Sequence, residues 1–242
     1  MVGYIIIKNK TMAINVDLVY KTVLLILNQQ QRGYITPDEF NKVGNQVQQG
    51  IFEKYMSDLN QQLRIPENDS EYANRVKNLE EKLDIFKTIA TPTFSIDHFT
   101  TASLPNFYRL GTVIYNDTIE AQMVERNEWY KIKKAPLLAP TKKQPVFLYE
   151  DTKISVYPTS ITSDIQVSYL KQPAMINWGY SVGSLGQYIY DASSSVNFEL
   201  HPSEQVDVVT GILLYSGVII QDPTIIQVAS QKIQQEDINE KS

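Results

Sequence analysis

Glu199-Leu200-His201-Pro202-Ser203-Glu204-Gln205-Val206-Asp207-Val208-Val209, residues 199–209, brings helical pattern back near the end of the chain, and its reading decides the fold. Pro202 suits a first helical turn, where its missing amide has no partner to lose, and His201 stands at or beside the N-cap. Val206, Val209, Leu213 and Ile220 then supply one apolar face. Gly211 and Gly217 weaken this helix. Asp222-Pro223 caps it and starts another, carrying Ile225, Val228 and Ile233, before the charged tail 234–242.

The other end of the chain is helical by the same criterion. Val16, Val19, Tyr20, Val23, Ile26 and Leu27 recur at steps of three and four. Arg32-Gly33-Tyr34 breaks that helix, and Thr36-Pro37-Asp38-Glu39 starts the next with a capping box: the Thr36 hydroxyl accepts from the third amide, and Glu39 reaches back. Phe40, Val43, Val47, Ile51, Tyr55 and Leu59 carry the stripe to about Asn60. Pro66 ends this segment. Asn68 with Glu71 offers another capping box, and Tyr72, Val76, Leu79, Leu83 and Phe86 a third stripe. Short connections imply antiparallel packing.

Between these ends, from Ala90-Thr91-Pro92 to about Asn197, prolines, tyrosines and β-branched residues dominate. Tyr108–Tyr115 reads as a strand. Lys153–Tyr157 and Ile165–Leu170 alternate apolar and polar, and the turn residues between them, Pro158 to Asp164, predict a hairpin. Ile119, Met123 and Arg126–Tyr130 suit a short helix. Trp178 to Ser195, rich in Gly, Ser and Tyr, reads as a long loop or flexible arm. The expected fold is α+β: a helical bundle built from the N- and C-terminal segments with a β-rich insertion. Residues 1–13 form an extension, 14–92 and 200–242 the two parts of the helical core, and 93–199 the insertion with its arm.

Length and composition describe an ordinary globular chain: 242 residues, 43% hydrophobic and 20% charged. The net charge is −5 and only five of 22 basic residues are arginine, which disfavours a DNA-gripping role. The one basic cluster, Lys131, Lys133 and Lys134 with Lys142 and Lys143, reads as a solvated surface with a connecting loop. With no cysteine there is no disulfide or thiolate site. The apolar run Tyr4–Ile7 is too short for a secretion signal or a membrane span, and Met12 is an alternative start.

No chemistry-bearing constellation emerges. The only histidines, His98 and His201, fall in different regions without flanking acids at ligand spacing. A nucleophile elbow is absent, and Gly183-Ser184-Leu185-Gly186 lacks the lysine of a phosphate-binding loop. Glu80-Glu81 reads as a solvated helix face and Glu150-Asp151 as a turn. The expectation is a non-enzyme with no catalytic residue, cofactor or metal. Asn and Gln make up about 14% of the chain. They serve either as neutral helix surface or as subunit contact, since uncharged polar faces lose less on burial than Lys/Glu faces.

Three stretches carry a resemblance. The first runs from Ile14-Asn15-Val16-Asp17 through Arg32-Gly33-Tyr34-Ile35-Thr36-Pro37-Asp38-Glu39-Phe40-Asn41 to Phe52-Glu53-Lys54-Tyr55. The second is Ile154-Ser155-Val156-Tyr157-Pro158, then Val167-Ser168-Tyr169-Leu170-Lys171-Gln172-Pro173 and Trp178. The third is Glu199 to Gln205 with the following helix and Asp222-Pro223. In this order they resemble the head–tail connector and ring proteins of short-tailed bacteriophages, most closely those of crAss-like phages.

That resemblance implies a structural virion protein of the tail or connector, assembled in the host cytoplasm. It implies a homo-oligomeric ring of about twelve copies below the portal, around the DNA exit channel. The implied partners are copies of itself, the portal protein, neighbouring tail and ring proteins, and transiently the exiting DNA, with no membrane. Tyr180, Tyr188 and Tyr190 in the arm, and Ile225, Ile226, Val228 and Ile233 near the C-terminus, are the expected interface residues. The alternative is a glycan- or receptor-binding virion or adhesin module that uses the Tyr-rich β region.

Overall fold

The structure, a computed structural model, describes residues 13–29, 34–62, 77, 79–220, 227, 230–231 and 234–235. In chain order the elements begin with helices α1 (Val16–Gln29) and α2 (Pro37–Gln62), then strands β1 (Lys87–Ala90), β2 (Thr93–Ser95), β3 (His98–Thr100), β4 (Phe107–Tyr115) and β5 (Ile119–Met123). Helix α3 (Arg126–Lys134), strands β6 (Val146–Glu150), β7 (Lys153–Tyr157), β8 (Ile165–Lys171), β9 (Tyr180–Val182) and β10 (Tyr188–Tyr190), and helix α4 (Gln205–Ile220) complete the set. The chain divides into two compact units, Phe86–Gln172 and the remainder.

The unit Phe86–Gln172 is one eight-stranded sheet in the order β1-β8-β4-β5-β6-β7-β3-β2, curled into a half-barrel. Neighbouring strands are antiparallel except β5 and β6, which run parallel with α3 in the crossover between them. Two register shifts along β4, where it pairs with β8, bend the sheet, as extra residues on one strand do. One face of the sheet closes over Phe99, Val113, Phe147, Ile154, Val156, Ile165, Val167 and Tyr169. On the other side Trp129 of α3 stacks on Tyr157 at 3.8 Å, and Ile132 packs on Val124, Val146 and Leu148.

Several strand readings need correction. β7 has the expected bounds and β8 runs one residue further, to Lys171, both with alternating burial, but they do not pair with each other. β7 returns instead against β6 through the tight turn Asp151-Thr152, where Asp151 takes φ 55°. A short turn between adjacent strands costs less loop entropy than the longer Pro158–Asp164 link, whose Ile161 is buried in the core. Ile119–Met123 is a strand, not part of a helix. Asn116 and Asp117, at φ 51° and 57°, turn β4 back on it, and Asn and Asp tolerate that left-handed region best.

In the other unit the capping box forms: the Glu39 amide donates to Thr36 Oγ1 at 3.3 Å, and the Thr36 amide donates to Glu39 Oε2 at 2.9 Å. Asn15 accepts from the Leu18 amide and opens α1. His201 accepts from the Ser203 amide at the start of the turn that leads into α4. α4 packs on both α1 and α2. Gly211 lets α4 approach α2 closely, since a β-carbon there would lie 2.9 Å from a Val47 methyl.

A helical bundle with a β-rich insertion is nevertheless not the architecture. The largest regular structure is the sheet, and the described helices are few and short. The apolar faces of α1 and α2 are covered in good part by extended chain, through Ile176, Trp178, Phe198 and Leu200, which are all buried. Helical periodicity shows that a face must be covered but is silent on whether helix or strand covers it. Of the third stripe, residues 79–84 are helical and Leu83 is buried; its earlier positions and the tail after Ile220 fall largely outside the described residues.

Glu204 is buried and pairs with Lys82 at 2.7 Å. Burial is the largest single influence and raises its carboxyl, but the Lys82 ammonium together with Tyr55 and Asp207 outweighs it and holds the group below the ordinary glutamate value. A depressed folded-state value means that the pair stabilises fully above the unfolded glutamate value of about 4.3 and is lost as pH falls through the folded value. Thermal melts from pH 7 downward should therefore lose stability on that acid limb. Glu204→Gln should cost about 3 kcal/mol at neutral pH and flatten the limb, because it strands the lysine. An unchanged limb in the variant would show that the pair contributes nothing.

Candidate interaction site

The part of the molecule richest in specific contacts is the junction of α2, the extended segment 174–178 and the β9–β10 hairpin. Residues 174, 176 and 178 of an extended chain turn their amides and carbonyls to one edge, and residue 177 to the other. Asn177 exchanges both backbone hydrogen bonds with Val196, at 3.1 and 2.8 Å, and Ile14 does the same with Phe198 at 3.1 Å. The remaining edge would be open. Side-chain amides of α2 close it.

The Trp178 amide donates to Asn41 Oδ1 at 2.7 Å, and Asn41 Nδ2 donates back to the Trp178 carbonyl and to Asn177 Oδ1. The Ile176 amide donates to Asn45 Oδ1 at 2.7 Å, and Asn45 Nδ2 returns to the Ile176 carbonyl at 3.1 Å. Gln48 donates to the Ala174 carbonyl at 2.7 Å and accepts from the Glu199 amide at 3.0 Å. The spacings explain the match. Four helical residues rise about 6 Å, and two strand residues about 6.7 Å. The step from Asn45 to Gln48 is only three residues, and the longer glutamine arm makes up the shortfall. These amides contact their own chain, where the sequence offered only neutral surface or a neighbouring subunit.

Trp178 then anchors the hairpin. Its ring lies 4.5 Å from Tyr20, 5.5 Å from Tyr190 and 6.0 Å from Tyr180, and its indole N–H donates to Asp17 at 3.1 Å. Tyr180 meets Tyr188 edge-on at 5.0 Å and donates its hydroxyl to Asp38 at 3.2 Å. Burial raises the Tyr180 phenol, and the Asp38 carboxylate raises it further by favouring the protonated form. Burial likewise raises Tyr20 well above the ordinary phenol value, aided by Tyr34. The stretch read as a long loop is thus a short hairpin, with Gly183 to Gln187 at its tip and Gly186 at φ 79°.

Of the expected interface residues, the structure gathers Tyr180, Tyr188 and Tyr190 around Trp178. Ile225, Ile226, Val228 and Ile233 lie outside the described residues. Tyr20, Lys21, Leu24, Tyr34, Trp178, Gln187 and Tyr188 line an open pocket of about 650 Å³. Sequence reasoning placed Tyr20 on a helical stripe and Trp178 at the head of a loop; only the recurrence of tyrosine near Trp178 pointed here.

His98 sits beside Asp97 at 2.8 Å in one unit and His201 is a cap in the other. Among the described residues no group of three or more His, Asp or Glu side chains is arranged to hold a metal ion. No described helix is long and apolar enough to cross a membrane. No protein-family model matches the chain, and no curated protein matches it either.

The amide ladder makes a direct prediction. Asn45→Ala leaves the Ile176 amide and carbonyl without their partners and should cost about 3 kcal/mol, since each unsatisfied buried group costs about 1–3 kcal/mol. Gln49→Ala, which removes only an exposed contact with Glu53, should cost under about 0.5 kcal/mol. Denaturant titration of both variants checks the contrast; equal losses would mean that the ladder carries no special weight.

Proposed function

We propose that the chain is a structural subunit of the connector or tail of a short-tailed, crAss-like phage, forming a ring around the DNA exit channel below the portal. The observation that supports this best is the outer face of α1. Leu18 is 50% exposed and Leu25 59%, with Ile26 beside Leu25 and Tyr34 exposed nearby. A helix whose inner face is fully buried, yet whose outer face is also apolar, presents surface suited to another protein. The resemblance adds its own support. Its first stretch, Trp178 and its third stretch build one framework, through Asn41 with Trp178 and Gln48 with Glu199.

Charge fits the same role. A net charge of −5 per subunit, repeated around a channel, repels a DNA backbone and lets it slide. The expected outcome is that the purified chain, alone or with portal, forms closed rings in electron-microscopy class averages. Leu18→Glu with Leu25→Glu should abolish rings and leave the melting temperature within a few degrees of wild type. A monomer at every concentration, with no incorporation into particles, would refute the reading.

The open aromatic pocket favours a second reading, a glycan-binding module, because sugar rings stack on tyrosine faces while Lys21 and Gln187 offer polar contacts. On that reading Tyr188→Ala and Tyr34→Ala abolish binding on a glycan array and leave assembly intact. An array with no signal from the wild-type chain removes it.

A further inference from the structure

The second distinctive surface of the molecule lies on the sheet unit, around α3. From Trp129 to Tyr149 the chain holds five lysines and no Asp or Glu. Lys131, Lys133 and Lys134 stand exposed on the last turn of α3, and Lys142 and Lys143 on the turn closed by the Thr141–Gln144 bridge. Among the described residues none of the five has an ion-pair partner. In their midst a short turn of helix, Pro136–Leu138, holds Leu137 100% exposed and Leu138 65% exposed, with Tyr130 also exposed.

The surface is held firmly. Trp129 and Ile132 pin α3 to the sheet, and Arg126 forms a two-pronged ion pair with Glu150. Lysines in a last turn complement the helix dipole, which accounts for Lys131, Lys133 and Lys134. It does not account for Lys142 and Lys143, nor for two leucines in water. An apolar centre with a charged rim is the anatomy of a protein interface.

Charge identifies the partner. The sheet unit carries ten basic and eight acidic side chains; the remainder of the chain carries twelve and nineteen. The acid excess therefore lies on the other unit, where Glu80 and Glu81 stand exposed side by side. We propose that the lysine-rimmed Leu137–Leu138 surface docks on the acidic Glu80–Glu81 surface of a second copy of this chain. This rests on the ring reading above and names one of its contacts. The two surfaces differ, so a head-to-tail contact between them is of the kind that propagates around a ring when its rotation closes.

The test compares sedimentation of the full chain at low and at about 0.5 M salt with that of three variants, since added salt screens exposed charges. These are Lys131→Glu/Lys133→Glu/Lys134→Glu, Glu80→Lys/Glu81→Lys, and the two sets combined in one chain. Each single set should raise the concentration needed for assembly by about tenfold or more, and the combined reversal should recover most of the loss. Leu137→Ser/Leu138→Ser should weaken assembly and reduce its dependence on salt only slightly. All substituted side chains are exposed, and unchanged melting checks that each variant folds.

Assembly of the lysine variant at wild-type concentrations overturns the docking and leaves the ring reading standing. Loss in both variants without recovery in the combined chain overturns the pairing of these two surfaces. A wild-type chain that never assembles brings down the ring reading and this contact together. Retention on duplex DNA or on anionic vesicles that depends on these lysines, with assembly unaffected, would make the partner a polyanion.

Discussion

The helical unit depends on one constraint: an extended segment buried against a helix must have both of its edges hydrogen-bonded. Backbone groups left unpaired away from water cost as much as lost hydrogen bonds. One edge of residues 174–178 finds Val196, but a helix has no free backbone groups along its side to offer the other. Asn41, Asn45 and Gln48 supply the missing donors and acceptors in the spacing of a strand. A carboxylate could only accept and a lysine only donate, so amides are the side chains that answer an amide and a carbonyl together. Gly44 follows from the same geometry, because a β-carbon there would lie 2.7 Å from Ile176.

The sheet unit solves a different problem. Eight short strands have little area each, and they close a core by curling instead of by stacking on a second sheet. Register shifts in β4 supply the bend, and α3 packs on a second cluster beside the single parallel pair. That helix is apolar only where Trp129 and Ile132 face the sheet, so its outer side is free to carry charge.

The sequence made the local signals plain and the partnerships obscure. The capping box at Thr36 and Glu39, the cap at His201 and the bounds of β7 and β8 were legible, because each depends on residues within a few positions of one another. Which strand pairs with which was not, since alternation in β7 and β8 is satisfied by any neighbour that shares the core. Short strands such as β1 to β3 leave too few positions for a period to register. The amides of α2 were visible as composition, yet their role depends on a segment more than a hundred residues away. Tyr180, Tyr188 and Tyr190 could be singled out as a group; Tyr20, which read as one position of a helical stripe, and Trp178, which read as the start of a loop, gave no sign that they place them.

The distribution of unsatisfied surface bears on what kind of assembly the chain can enter. A two-fold dimer needs one self-complementary patch per subunit, whereas a ring needs two different patches that fit each other. The two units of this chain expose dissimilar surfaces. One presents the neutral apolar face of α1 with Leu18 and Leu25, and an acid excess; the other presents leucines rimmed by lysine. Like-charged rims would keep identical basic surfaces apart, so self-pairing of the α3 surface is disfavoured. Attraction runs between unlike surfaces. A chain that carries an acid excess on one unit and an exposed lysine patch on the other can hold a neighbour of its own kind by charge.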